Sequence, residues 1–374
     1  MVVGGPARVT LALAEELAAR GYDVALASGA PEPGEVPDPR TAESALRRWD
    51  IPALRRSLAP WQDLRVLHQI RALLASQRPD VVLTAGAKAG ALGRVAARLV
   101  RPRPRTIHVF HGHVFQGHFG SLPSRVFAMT ERSLARITDD MVAICRSVAD
   151  DLRMFGIDRY ARLHTVYIGC ELAQFLEVGQ GTGALKRELG LDPSAFLAVC
   201  PARICHVKAQ DVLIEALGIA GDGLDARRFK LAFVGDGENR DALAARARAL
   251  GVGDRVAFLG YRKDMLAVYA DADLVILPSR HEGTPIALME ATAAGRPFLA
   301  TAVGGVQDMW RAEYGRLVPP ENPGALAGAL KEIVAAGRPP ALPESLRREV
   351  VDRFSVRRFT DEMETIIQGA LHEP

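Results

Sequence analysis

Residues 271–301 read DADLVILPSRHEGTPIALMEATAAGRPFLAT. The opening part, DADLVILPS, is a short aliphatic run bounded by polar residues, the pattern of a buried strand. Thr284 followed by Pro285 fits a helix N-cap and first helical position, since proline lacks an amide that would be unpaired there anyway. The helix PIALMEATAA stops at Gly295, with Arg296 and Pro297 beyond it. RPFLATAVGG then supplies another strand. Strand, helix and strand at this spacing make one crossover of a parallel sheet. The strand-to-helix turn carries Glu282, and Glu290 lies about a turn inside the helix. Between them the helix N-terminus offers amide donors and a partial positive charge, which suits an anion.

The same grammar runs outward in both directions. Residues 7–21 form an amphipathic helix ending at glycine, and YDVALASG a strand. The segments WQDLRVLHQIRALLASQR, PDVVLTAG and AGALGRVAARLV alternate helix, strand, helix. Then come TIHVFHGH as a strand, SRVFAMTERSLARI as a helix, and DDMVAIC and LHTVYIG as strands. After the glycine-rich VGQGTG (178–183) a second series begins with AFLAVCPAR, AQDVLIEALGIA, FKLAFVGDG, ENRDALAARARALG, DRVAFLG and DMLAVYAD. Two doubly wound α/β halves are expected, with residues 1–175 as one domain and 176–352 as the other. The segment 353–374 is expected to be a C-terminal helix returning to the first. Ligands of such sheets bind at the carboxyl ends of the strands, which places the expected site in a cleft between the halves. At the start, GGP (4–6) reads as the turn after a first strand, yet only Met1, Val2 and Val3 precede it. A central strand needs about five residues, so a truncated first strand and a natural start upstream are expected.

Composition excludes several classes. Hydrophobic residues at 48% and charged residues at 24% of 374 are ordinary for a globular chain. No run approaches the length of a membrane span, and the first residues lack a signal peptide's apolar core. A cytoplasmic protein is expected, peripheral at the inner face of the cell membrane. Cys145, Cys170, Cys200 and Cys205 show no repeated short pairing, so neither a metal site nor a disulfide framework is expected. A net charge of +3 does not argue for nucleic acid. Residues 51–105, however, hold 11 Lys and Arg against 2 Asp and Glu, with Trp61 beside the first cluster. That face suits an anionic membrane surface or an anionic acceptor; a solvated helix surface is the plainer reading.

Three further clusters fall at expected strand ends. In CPARICHVKAQDVL (200–213), Arg203 and Lys208 follow a strand and precede a helix, and two such cations suit a diphosphate. HVFHGHVFQGHFG (108–120) carries four histidines at a loop; the spacing is not that of a zinc helix, and a histidine beside Gly112 can hydrogen-bond a polar substrate. The Gly4–Gly5 turn allows close approach of a phosphate or sugar. VGDGENR (234–240) begins like a dinucleotide fingerprint but has Arg240 where the last glycine belongs, so NAD binding is not expected.

Taken together, PAR…K…LIEAL, FVGDG, FLGYRKD and PSRHEGTPIALMEATAAGRPFLAT…GG resemble the retaining, nucleotide-sugar-dependent glycosyltransferases of family 4. The resemblance covers nearly the whole chain, and TAGAKAGALGR…HVFHGHVFQGHFG is most similar to a bacterial subgroup of cell-surface polysaccharide synthesis. It implies the GT-B fold, two Rossmann-like domains facing across a cleft. It also implies transfer of a sugar, with UDP-sugars favoured, to a hydroxyl of a lipid-linked or small-molecule acceptor, without metal or cofactor. Glu282 and Glu290 match the E-x7-E motif, which implies the donor sugar for the first and the ribose hydroxyls for the second. Gly283, Thr284, Pro285 and Ile286 would offer amides to the sugar and diphosphate, and Arg203 and Lys208 would neutralise the diphosphate leaving group. Gly260 and Tyr261 match the loop that packs the base. His111 matches the histidine that reaches the donor sugar, with His113 its neighbour, and Gly4 and Gly5 match the loop near the phosphates. Departures are Ile168 and Glu171 in the interdomain strand, Cys145 after a strand, and Pro285 within the glutamate motif. A GT-B sugar-nucleotide epimerase or phosphorylase, and a catalytically silent binding protein, are the alternatives.

Overall fold

The computed structural model describes residues 5–372 apart from 31–40, 42, 56, 58, 113–120, 180 and 226. Gly4, His113 and His118, and the expected first strand, therefore lie outside the described residues, while Gly5 begins the first helix, Gly5–Ala19. The chain divides into two compact units, Met1–Cys170 with Phe354–Pro374, and Glu171–Arg353. The division thus falls ahead of residue 175 and of the glycine-rich stretch.

In the first unit, β1 (Ala25–Gly29) pairs in parallel with β2 (Arg47–Ile51). A separate sheet runs in the order β3 (Val81–Ala85), β4 (Arg105–Phe110), β5 (Asp140–Ala143) and β6 (Arg162–Thr165), all parallel. Simple sequential order follows from short helical crossovers that pack each strand beside the last. β2, with its sequence RRWDI, carries no alternating apolar pattern, and its strand identity was not legible. In this unit Arg94 is fully buried, its Nη2 donating to both oxygens of Glu131 at 2.9 and 3.0 Å and its Nε to Gly90 O at 3.0 Å. Two charges can stay so deep because each is hydrogen-bonded to the other. The C-terminal helix Val356–His372 packs on Gly5–Ala19 and on β3 and β4. Arg20 bonds Glu364 and Asp361 at 2.7 Å each, and Tyr22 bonds Glu364 at 2.8 Å.

The second unit contains one six-stranded parallel sheet. In chain order its strands are β7 (Phe196–Pro201), β8 (Phe229–Val234), β9 (Val256–Phe258), β10 (Leu274–Leu277), β11 (Phe298–Thr301) and β12 (Gly315–Val318). Their spatial order is β12-β11-β10-β7-β8-β9. The chain runs outward from β7 to β9, returns to the other side of β7, and runs outward again to β12. Between β7 and β10 the winding reverses, which opens a crevice beyond their carboxyl ends. β7, β8 and β10 are almost wholly apolar and buried, as central parallel strands covered on both faces must be. The architecture is α/β with parallel sheets in two Rossmann-like units, as the alternation implied.

Candidate functional site

The ends of β7 and β10 bring together Lys208 and Glu282, two of the residues singled out from the sequence. After β7, a three-residue 3-10 turn, His206–Lys208, brings Lys208 to the strand end. After β10 the chain passes through Ser279 and Arg280 to Glu282. Lys208 Nζ donates to Glu282 Oε1 at 2.6 Å, and Ser279 Oγ donates to the same oxygen at 2.6 Å. Glu282 is only 6% exposed, while the Lys208 side chain is 25% exposed. One carboxylate oxygen is thus held by two donors, which fixes the carboxylate plane, and the ammonium keeps protons for another acceptor. Ser279 is itself anchored, its carbonyl accepting from Thr301 Oγ1 at 2.6 Å.

Arg203 lies on the other side of the same loop. Its guanidinium bonds Glu238 at 2.9 Å and is 51% exposed. Burial pushes the Cys205 thiol up, against the smaller opposing pull of the Lys208 backbone N–H and of the Lys208 and Arg203 cations. Cys200, buried in β7 below Lys208 and Glu282, is pushed up to about 12 by burial and is not a nucleophile at neutral pH. The loop lies tight against its neighbour: a Cβ on Gly237 would meet Ile204 O at 2.1 Å, and one on Gly235 would meet Ala202 O at 2.2 Å. The glycines of VGDG therefore serve close backbone approach to the Arg203 loop.

The helix after Glu282 begins later than expected. It spans Ile286–Ala293, with Pro285 rather than Thr284 at the cap position and no side-chain cap. Proline stands at the cap because the first helical carbonyl is its own, accepting from Met289 N at 3.2 Å. The expected run of amides from Gly283 to Ile286 is correspondingly poorer. Pro285 has no N–H, and the Ile286 amide donates to Thr284 O at 3.0 Å. Charge at this site therefore rests more on Lys208 and Arg203 than on the helix end.

Glu290, inside that helix, is 6% exposed, and its Oε2 accepts from Tyr269 OH at 3.0 Å. Tyr269, on the helix Met265–Asp271, is fully buried and edge-on to Phe175 with ring centroids 5.6 Å apart. Sequence reading passed over Tyr269; the available signal was a hydroxyl on an otherwise apolar helix face, which needs a partner when buried. Gly260 follows β9 with φ of +65°, a conformation natural to glycine, and bridges Gly235; Tyr261 beside it is exposed.

In the first unit His111 follows β4 and is partly buried, and burial pushes its imidazole down to about 4. His108, wholly buried, has Nδ1 2.8 Å from Thr84 Oγ1, and burial, the Arg94 cation and His111 all depress it. His111 is therefore a neutral hydrogen-bonding group at neutral pH. Because its folded value lies below the unfolded value near ~6.5, the unfolded chain takes up the proton first, and stability is lost as pH falls from ~6.5 towards 4. His111→Asn is expected to flatten that loss by roughly 1 kcal/mol, because the ring is only partly buried. Urea unfolding of both proteins at pH 7 and pH 4.5 measures it, and identical acid losses would contradict the assignment.

Among the described residues, no group of three or more His, Cys, Asp or Glu could hold a metal ion, and no helix is long and apolar enough to cross a membrane.

Residues 3–174 match the family model described as Glycosyltransferase Family 4, and residues 195–336 that described as Glycosyl transferases group 1. The chain is 23% identical over 370 residues to a UDP-Gal:alpha-D-GlcNAc-diphosphoundecaprenol alpha-1,3-galactosyltransferase of Escherichia coli, covering 98% of this chain and 94% of that protein. It is 28% identical to a D-inositol 3-phosphate glycosyltransferase of Mycolicibacterium vanbaalenii, with 98% and 84% covered. Among solved structures it is similar to sucrose-phosphate synthase of Thermosynechococcus elongatus, at TM-score 0.80 and 20% identity over 98% of this chain and 93% of that one. It is also similar to Anabaena Alr3699/HepE in complex with UDP-glucose, at TM-score 0.77 and 20% identity over 98% and 96%. At such identities the structural likeness speaks for the fold.

Proposed function

The chain belongs to glycosyltransferase family 4 and is a nucleotide-sugar-dependent glycosyltransferase of GT-B fold, and from that premise we propose that the β7–β10 crevice binds a UDP-sugar donor. The observation that carries this reading is the 2.6 Å contact of Lys208 with Glu282 where the sheet winding reverses. A sugar-nucleotide asks for a cation at its diphosphate and a carboxylate at its sugar hydroxyls, side by side. Lys208 and Arg203 take the diphosphate, Glu282 the sugar, and Glu290, with one oxygen held by Tyr269, the ribose. Gly283, Thr284, Pro285 and Ile286 border the sugar, and Gly260 and Tyr261 the base. His111 is assigned to the donor sugar on the resemblance.

Loss of a nucleoside diphosphate demands that negative charge be stabilised as the glycosidic bond breaks, and pre-placed cations do this without reorganisation. As the bond from the anomeric carbon to the diphosphate breaks, the acceptor oxygen bonds that carbon on the same face and gives its proton to the departing diphosphate oxygen, so the anomeric configuration is retained. No metal or cofactor is invoked. Both matched family models are of transferases, which disfavours an epimerase, a phosphorylase or a silent binding protein.

The acceptor we propose is a lipid-linked sugar of the bacterial envelope, which the Escherichia coli relative's name supports. On the helix Pro60–Gln77, Trp61 is 82% exposed, with Leu64, Arg65 and Arg71 exposed nearby. An exposed tryptophan among cations suits the headgroup layer of anionic lipid. Co-sedimentation with phosphatidylglycerol vesicles, and its loss in Trp61→Ala/Arg65→Ala, is the expected result; equal binding of both proteins, or of phosphatidylcholine vesicles, would remove the membrane reading.

Thermal-shift measurement against UDP, GDP, ADP and their sugars tests the donor, because a ligand bound only by the folded state raises the midpoint. UDP and one UDP-sugar are expected to do so. A rise with GDP or ADP alone would reassign the base, and none with any of them would remove the site.

A further inference from the structure

The turn that carries Lys208 is poorly held by its own bonds. It is three residues long, its internal bonds are Lys208 N to Cys205 O at 3.0 Å and Ala209 N to His206 O at 3.2 Å, and it ends on Ala209 at φ of +51°. A left-handed alanine costs roughly 1–2 kcal/mol, so this turn does not persist on local preference. Arg280, two residues before Glu282, binds two carbonyls of the turn, Val207 O and the His206 O that also accepts from Ala209 N. Its backbone amide donates to Val207 O at 2.9 Å, and its Nη1 donates to His206 O at 2.5 Å. The same guanidinium forks onto Asp211, in the first turn of the helix Gln210–Ala220, at 3.0 and 2.8 Å, and its Nε pairs with Glu321. The Arg280 side chain is 15% exposed, so the guanidinium itself is largely covered, while its partners Asp211 and Glu321 still meet water.

We propose that Arg280 is a positioning residue for the donor site: it buckles the Lys208 turn, the start of the next helix and the Glu321 turn to the loop bearing Glu282. The ammonium and the carboxylate are thereby held side by side, ready for a diphosphate and its sugar. Asp211 is the buckle's other half. Burial pulls its carboxyl up, but the Arg280 bonds outweigh this and hold it below the usual range. The inference rests on the assignment of Lys208 and Glu282 to the donor site.

A double-mutant cycle on UDP binding by calorimetry tests it. Arg280→Ala is expected to weaken UDP by about tenfold, and by less than about twofold when Lys208 is already alanine, since residues acting through one contact are not additive. Arg280→Lys restores only part, because an ammonium cannot span His206 O and both Asp211 oxygens at once. Asp211→Asn, which keeps the shape and serves should Arg280→Ala fail to fold, is expected to weaken UDP several-fold in the same Lys208-dependent way. Equal weakening in both backgrounds would mean general loosening and would overturn the proposal. So would unchanged UDP binding in Arg280→Ala or Asp211→Asn while Lys208→Ala binds poorly. If Lys208→Ala itself binds UDP like the wild type, the donor-site assignment falls and takes the proposal with it.

Discussion

Glu282→Ala is expected to cut the turnover of sugar transfer by about 10²–10³-fold, the size of effect seen when one pre-placed electrostatic group is removed from a reacting centre. UDP affinity should change far less, because the carboxylate faces the sugar rather than the nucleotide. The fold should survive. Two donors are left behind: Lys208, whose side chain is 25% exposed and so still meets water, and the buried Ser279 hydroxyl, whose lost partner costs about 1–3 kcal/mol. Glu282→Gln is the sharper version. Its amide oxygen can accept from Lys208 and Ser279 as the carboxylate does, but the presented end becomes a neutral donor. Steady-state kinetics with the thermal midpoint measured in parallel decide the matter. Full turnover in Glu282→Gln would mean that the negative charge is not used, and the sugar-facing role would have to be given up.

The combined change Arg203→Ala/Lys208→Ala should be more severe, lowering kcat/KM by roughly 10³–10⁴-fold, because charge-assisted bonds to a phosphate contribute about 1.5–3 kcal/mol each. Unlike the glutamate variant it should weaken UDP itself. The two cations are not equal. Lys208 is the less exposed and shares Glu282, whereas Arg203 is 51% exposed and shares the exposed Glu238. Lys208→Ala is therefore expected to account for most of the loss, and Arg203→Ala for about tenfold, with stronger sensitivity to salt. Calorimetry with UDP at two ionic strengths separates the pair. A double variant that binds UDP as tightly as the wild type would end the diphosphate assignment.

Much of this was readable along the chain. The strand DADLVILPS and the helix starting near Pro285 announced themselves through aliphatic density, proline and the terminal Gly295, all signals confined to about ten residues. Within the quoted stretch itself, however, Ser279 and Arg280 passed unremarked as loop residues. Nothing local distinguishes an arginine that forks onto Asp211 from one that is solvated. The helix cap was misread for a related reason: Thr284 has the right chemistry for a cap, but its carbonyl accepts the Ile286 amide and the helix starts beyond it.

By itself, the sequence determined that this is a chain of alternating buried strands and amphipathic helices, with two glutamates after one strand and two cations after another. Local periodicity and residue chemistry suffice for that, because they act between neighbours in the chain. Only the tertiary structure decided that β10 returns to lie beside β7, on the side away from β8. That single adjacency brings Lys208 within 2.6 Å of a carboxylate 74 residues away, and Arg280 onto Asp211 across 69. Strand order is set by which buried faces pack best across the whole sheet, a property that no local window contains.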